Sequence, residues 1–380
     1  MNARAVSAES DSVWPPEPIA NPGLVGHRDA EATLQKAFAG PRMAHAWLIS
    51  GPRGVGKATL AYRFARYALA QGVPGEQRPG LFGGELLSPS GSDGLWTDPA
   101  SAVFQRVAAG GHADLMVIRR SLNKQGKLRG EIVIEDVRGI GAFMSLTAAE
   151  GGWRIVVIDS VDEMNRNAAN AVLKVLEEPP ARAMLLLISH NPGRLLPTIR
   201  SRCRKLTVSG LPDTVINDLL TQYLPSVGGD DRAALAKLSE GSIGQAIELS
   251  GAGGLGLYRD ILQLLLTCPG LDIPLLHKLA GNWSRTGAED TFARATEILV
   301  DLLGRMVREL AANRGGNGLT SGEMEVFERF SGTVDLDRWL EVWEKINDLL
   351  DRTSAINLDR KQVILNIFLE IDGAARSGLR

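Results

Sequence analysis

A glycine-rich loop in the first quarter of the chain carries the clearest chemistry. It has the spacing of a phosphate-binding loop, set by Gly51, Gly54, Gly56 and Lys57. Glycine suits such a loop because backbone N–H groups must turn toward phosphate oxygens, and the lysine adds charge toward the outer phosphates. Ala58 stands where a Mg²⁺ site needs a Ser or Thr hydroxyl. Thr59 comes one residue late, about 100° further around a helix, and is an imperfect substitute. The loop is interpreted first as a vestigial structural loop, and a degenerate ATP and Mg²⁺ site is the alternative.

An acidic motif lies about a hundred residues further on. The apolar run 155–158 ends in Asp159, a carboxylate in the position that helps hold Mg²⁺ in nucleotide hydrolases. Ser160 follows, and a hydroxyl there is no general base for an attacking water. Asp162 and Glu163 come next and are interpreted as first-turn acids of the following segment. The motif therefore predicts weak hydrolysis or none.

The elements around these motifs alternate between strand and helix. Helices are predicted over 28–39 and 57–70, and short apolar strands over 46–49, 115–118, 155–158, 185–188 and 205–208. This alternation predicts a parallel sheet covered by helices. Strand signals end after Leu211-Pro212, and the remaining chain is predicted to be helical. Residues 71–100 are rich in Gly, Pro and Ser and predict an insertion loop.

The segment from 165 to 206 is the most specific part of the sequence. Asn165 is a predicted N-cap of an amphipathic helix that ends at Pro179-Pro180. The run NAANAVLKVLEEPPA, followed by LLLISHNPGRLLPTIRSRCRKL, resembles the bacterial clamp-loader AAA+ family over about the first 250 residues. The resemblance implies a RecA-like AAA+ domain, then a helical lid, then an all-α collar domain. The expected bounds are a flexible arm at 1–22, the AAA+ domain at 23–210, the lid at 211–270 and the collar at 271–380.

In that family the arginine of a Ser-Arg-Cys triplet reaches the γ-phosphate of a neighbouring subunit. The matching residue here is Arg202, with Ser201, Cys203 and Asn191 expected at the same interface. A guanidinium suits this task because it stays charged and presents a planar fork of donors. The alternative is an exposed basic edge formed by Arg200, Arg202, Arg204 and Lys205. Cys203 is expected to be buried packing rather than a nucleophile.

The resemblance also separates motor from non-motor subunits. Motor subunits carry an arginine where this chain has Gly244. With Ala58 and Ser160, this makes three changed ATPase positions beside a retained Arg202, which is similar to the family's non-motor type. The implied partners are the tau/gamma motor subunits, the delta subunit, the sliding clamp and primer-template DNA. An ATP-hydrolysing motor subunit and a free-standing DNA-remodelling AAA+ protein are the competing interpretations.

Composition limits the remaining options. The 380 residues exceed one compact core, and 42 basic against 44 acidic residues give no global footprint for autonomous DNA binding. A basic stretch from Arg119 to Arg129, including Lys124 and Lys127, is either a DNA-phosphate contact or an ordinary surface hairpin. Leu299, Leu302, Leu303 and Met306 share one helical face, which fits a collar interface or a private core. With two cysteines, no metal site is predicted, and the chain is expected to be cytoplasmic, without a membrane span.

Overall fold

A computed structural model describes most of the chain. The described residues are 15–40, 43–71, 94–123, 125–150, 152–251, 253–285, 287–312, 315–316, 320–331, 335–356 and 358–377. The greater part of the predicted arm and of the predicted insertion loop lies outside these residues, as does Lys124.

A five-stranded, entirely parallel sheet organises the first part of the chain. The strands are β1 (Ala46–Ser50), β2 (Leu115–Ile118), β3 (Arg154–Asp159), β4 (Ala183–Ser189) and β5 (Arg204–Thr207). Their spatial order is β2-β3-β4-β1-β5. The three central strands are buried on both faces, which explains their continuous apolar sequences, whereas the edge strand β5 is largely exposed.

Helices cover both faces of this sheet. They are α1 (Arg28–Ala39), α2 (Lys57–Gln71), α3 (Ala102–Ala108), α4 (Ile134–Val137), α5 (Ile140–Ser145), α6 (Arg166–Glu177) and α7 (Pro197–Arg202). Side chains of α1 and α2 pack on one face with residues such as Trp47 and Ile49. Side chains of α4, α5 and α6 pack on the other face with residues such as Leu48. The period-two alternation along β1 therefore divides its side chains between two cores.

The remaining described elements are all helical. They are α8 (Asp213–Tyr223), α9 (Gly229–Leu238), α10 (Ile243–Ser250), α11 (Gly254–Leu265), α12 (Ile273–Trp283), α13 (Glu289–Ala312), α14 (Ser321–Ser331), α15 (Leu336–Ile356) and α16 (Arg360–Ser377). The predicted architecture, a parallel sheet covered by helices and followed by a helical remainder, is confirmed. Within the described chain, no helix is both long and apolar enough to cross a membrane.

The chain divides into two compact units. One contains residues 1–227 with 240–245, and the other contains 228–239 with 246–380. The predicted bounds at 210 and 270 follow the family pattern and stay predictions. Inside the second unit, the four apolar residues of α13 predicted to share a face are buried, and Leu303 and Met306 line a small apolar cavity with Trp339. These side chains form the unit's own core, so they are not free for packing between subunits.

The end of the predicted N-terminal arm is fixed to the sheet domain. Arg66 is buried and donates to the backbone carbonyls of Ile19, at 2.8 Å, and Asn21, at 2.6 Å. Arg63, on the same helix, donates to the carbonyl of Pro22. Residues 19–22 are therefore held against α2, because both buried guanidinium groups donate to carbonyl oxygens of this backbone.

Candidate nucleotide site and the Arg202 surface

The glycine-rich loop lies at the carboxyl edge of the sheet, where ligands bind in open α/β folds. The loop follows β1, and Asp159 ends β3, which is separated from β1 in the sheet by β4. The strand register places Ile49 and Asp159 opposite the same residue of β4, Ile188. The loop and the acidic motif therefore lie on either side of the end of β4. Gly51, Gly54 and Gly56 adopt φ values of 150°, 76° and 103°, which favour glycine.

Lys57 turns into its own loop. Its ammonium donates to the carbonyl oxygen of Gly51, at 2.7 Å, and to that of Pro52. The side chain is buried, and burial lowers its pKa to about 8 against the raising effect of nearby Asp162 and Asp159. The charge expected to meet phosphates is engaged by backbone carbonyls.

Asp159 is paired with a cation from β2's side of the sheet. The Nε of Arg119, the residue after β2, lies 3.8 Å from an Asp159 carboxylate oxygen. Its Nη2 donates to the hydroxyl of Tyr62, 3.1 Å away, and its guanidinium lies over the Tyr62 ring. Tyr62 is fully buried on α2, and burial raises its pKa to about 12. A protein cation thus lies beside the carboxylate that would otherwise help hold Mg²⁺.

The other acids of the motif have structural partners. Asp162 lies in a 3₁₀ turn, Val161–Glu163, and accepts from the backbone N–H of His190 at 2.9 and 3.2 Å. Glu163 pairs with Nε of Arg120 at 3.0 Å. Ser160 is buried. Asp162 is therefore a first-turn acid, as predicted, and it also connects the ends of β3 and β4.

Gly244 packs directly on the glycine-rich loop. Its backbone N–H donates to the carbonyl of Gly54 at 3.1 Å. A Cβ at position 244 would lie 2.8 Å from the Gly54 Cα, and a Cβ at position 54 would lie 2.3 Å from Ser242 Oγ. The first turn of α10 occupies the space beside the loop. Glycine at 244 is thus a packing requirement as well as the loss of an arginine.

These contacts do not fit Mg²⁺–ATP. Lys57 is turned to carbonyls, Asp159 is paired with Arg119, and the backbone at Gly244 lies against Gly54. Ala58 offers no oxygen for a metal, and Thr59 is buried. Among the described residues, no group of three His, Cys, Asp or Glu side chains is arranged to hold a metal ion.

Arg202 lies at the amino ends of the strands, opposite the end that carries the glycine-rich loop. It ends α7, two residues before β5 begins, and β5 runs parallel to β1 with Trp47 opposite Arg204. Since each strand residue advances about 3.3 Å, Arg202 is separated from its own glycine-rich loop by the length of β1. Its side chain is 36% exposed, donates to the Thr198 carbonyl at 3.1 Å and pairs with Glu177 at 2.9 Å. The guanidinium is anchored yet accessible.

The predicted neighbours of Arg202 are placed differently from one another. Ser201 is exposed, and its hydroxyl donates to the Thr198 carbonyl at 3.0 Å. Cys203 is buried, which raises the pKa of its thiol to about 12, so its predicted packing role agrees with its position. Any interface role of Cys203 is indirect.

Asn191 is exposed and caps a short 3₁₀ turn by accepting from Gly193 N–H at 3.2 Å. Arg204 lies over the Trp47 ring.

The basic stretch forms a hairpin whose first two arginines point back to the acidic motif. Leu122 and Leu128 form an antiparallel bridge, and both are exposed. Arg119 and Arg120 pair with Asp159 and Glu163, which reduces the charge left for DNA phosphates. Lys127 remains exposed, while Lys124 lies outside the described residues. DNA contact by this stretch stays a prediction.

The structure shows two site residues that sequence reasoning missed. Arg119 was grouped with the hairpin because only the fold brings it to Asp159. Glu177 was part of a recognised motif, but its contact with Arg202 depends on the packing of α6 beside α7. The signal for Arg119 was its place directly after β2, since residues ending neighbouring parallel strands meet at one edge.

Comparison with known proteins defines the class. A family model described as "DNA polymerase III, delta subunit" matches residues 88–212. A DNA polymerase III subunit delta' of Pseudomonas aeruginosa is 37% identical over 213 residues, covering 55% of this chain and 57% of that protein. The Escherichia coli delta' subunit is 29% identical over 216 residues, covering 57% of each. The Haemophilus influenzae tau/gamma subunit is 29% identical over 243 residues, covering 62% of this chain and 31% of that protein.

The parallel sheet and these matches make the chain a relative of bacterial DNA polymerase III subunits. Within that class it is a relative of the delta' subunits, which confirms the resemblance seen in the sequence. The chain spans a little more than half the length of the delta' proteins that it matches.

Proposed function

We propose that this chain is the non-motor delta' subunit of a bacterial clamp loader and that it donates Arg202 in trans to the ATP site of a neighbouring motor subunit. One observation carries this proposal. Arg202 is accessible and lies at the amino ends of the strands, opposite its own glycine-rich loop, which supports a role toward a phosphate bound by another chain. A guanidinium placed on a transferring phosphoryl group stabilises the charge of the transition state.

The chain's own nucleotide site supports the same assignment. Its lysine, its acidic residue and its loop backbone are all engaged by other groups of the protein. A motor subunit needs those groups for ATP and Mg²⁺. We therefore assign this subunit no ATP hydrolysis of its own. In the cytoplasm it would assemble with tau/gamma motor subunits and the delta subunit, and act with them on the sliding clamp and primer-template DNA.

The test replaces Arg202 in a loader reconstituted from all its subunits. Arg202→Ala is expected to leave assembly intact and to lower the DNA-stimulated ATPase rate of the site it serves by about 10³-fold or more, the magnitude of an arginine finger. Arg200→Ala, on the same short helix, is the matched control and should leave the rate unchanged. Normal ATPase of the Arg202→Ala loader would refute the trans role.

A second measurement separates the motor alternative. Equilibrium binding of Mg²⁺–ATP to the isolated chain should be absent, with or without Lys57→Ala. Tight Mg²⁺-dependent binding and turnover, both lost in Lys57→Ala, would instead show an active motor subunit.

A further inference from the structure

We infer that Glu177 is a positioning residue for Arg202, holding its guanidinium in the orientation that the neighbouring ATP site requires. This inference rests on the proposed trans role of Arg202. The contact that motivates it joins Glu177 Oε1 and Arg202 Nη2 at 2.9 Å, between the last residues of α6 and α7.

Two anchors hold the guanidinium while leaving it accessible. Nη1 donates to the Thr198 carbonyl at 3.1 Å, and Nη2 meets Glu177. Arginine has five N–H donors in a rigid fork, so both contacts together leave several donors for an external anion. The Arg202 side chain is 36% exposed. The guanidinium is therefore held through Nη1 and Nη2, and its remaining N–H donors are open to an external anion.

Glu177 is not explained by the stability of its own helix. It is the last residue of α6, where the partial negative charge of the helix end disfavours a carboxylate. Glu178 follows directly and adds a second negative charge. The only basic residue in the last turn of α6 is Lys174. A residue that opposes local preference marks a functional constraint, and here the constraint is the cation of the adjacent helix.

The physical consequence is preorganisation rather than charge supply. A long arginine side chain loses considerable rotamer freedom when it binds an anion, and a group already held in place loses less. Because Arg202 would act mainly in the transition state, loosening it lowers kcat more than it raises KM. Thr198 still holds one corner without Glu177, so the loss is partial.

The experiment measures kcat and KM for ATP in the fully reconstituted, DNA-stimulated loader. Glu177→Ala should lower kcat by about three- to tenfold while changing KM less than about twofold. Glu177→Gln keeps an oxygen acceptor and should retain most of the activity. Glu178→Ala removes the same charge one residue away and should behave as wild type. In an Arg202→Ala background, Glu177→Ala should add nothing.

The outcomes separate this inference from the proposed function. If Arg202→Ala lowers the rate but Glu177→Ala leaves it unchanged or raises it, Glu177 does not position the arginine, and the trans role stands. An equal loss from Glu177→Ala with and without Arg202 would show a merely structural effect and overturn the inference. If Arg202→Ala has no effect, the proposed function itself fails.

Discussion

Replacing Gly244 by alanine tests the closure of the glycine-rich loop most directly. Helix propensity alone predicts a gain of well under about 1 kcal/mol, because alanine is the better helix former but Gly244 is only the second residue of α10. The structure predicts a loss, because the new Cβ would lie 2.8 Å from the Gly54 Cα, a backbone atom that cannot rotate away. Overpacking of this kind costs about 1–3 kcal/mol. The net expectation is a destabilisation of about 1–2 kcal/mol, opposite in sign to the propensity effect.

Hydrogen exchange is the suitable assay because two compact units make a single unfolding free energy ill-defined. Peptides covering β1 and the glycine-rich loop should exchange about five- to thirtyfold faster in Gly244→Ala. Gly256→Ala is the matched control: Gly256 is the third residue of α11, and a Cβ there meets nothing within 4 Å. That variant should be as stable as wild type or more so. If Gly244→Ala also proves neutral or stabilising, the close approach of α10 to the loop is wrong.

Three further changes probe the same domain. Because the Lys57 pKa of about 8 lies below its ordinary 10.5, the unfolded state binds more protons between these values. The free energy of unfolding of the first compact unit should rise there by up to about 3 kcal/mol. Urea titrations that follow the transition of this unit at pH 7.5 and 10 should show a smaller rise for Lys57→Met. Arg119→Ala removes the hydrogen-bond partner of the buried Tyr62 hydroxyl and should lower the free energy of unfolding by about 1–3 kcal/mol. The loss caused by Arg119→Ala should be smaller in a Tyr62→Phe background. An equal loss in both backgrounds would exclude this cause. Asn165→Ala removes the acceptor for Ala168 N–H at 2.9 Å and should lower the stability of the first compact unit by about 1 kcal/mol; an unchanged midpoint of that unit's thermal transition would contradict the cap.

The motifs could be predicted from the sequence because they depend on local interactions. The glycine spacing of the loop and the N-cap at Asn165 depend on backbone conformation and on groups a few residues apart. The strands of the sheet were legible because burial on both faces requires continuous apolar runs. The ordered end of the predicted arm could not be predicted, because the donors that hold it, Arg63 and Arg66, are more than forty residues away in the chain.

By itself, the sequence determined the parallel α/β domain, the helical remainder, the changed ATPase positions and the resemblance that singles out Arg202. Only the tertiary structure decided what those positions do. It brought Arg119 to Asp159, set Gly244 against Gly54 and placed Arg202 beside Glu177 at the far edge of the sheet. The physical reason is that patterns of residue type record local conformation and burial. Which group a charged side chain or a glycine contacts depends on packing between segments that are distant in the chain.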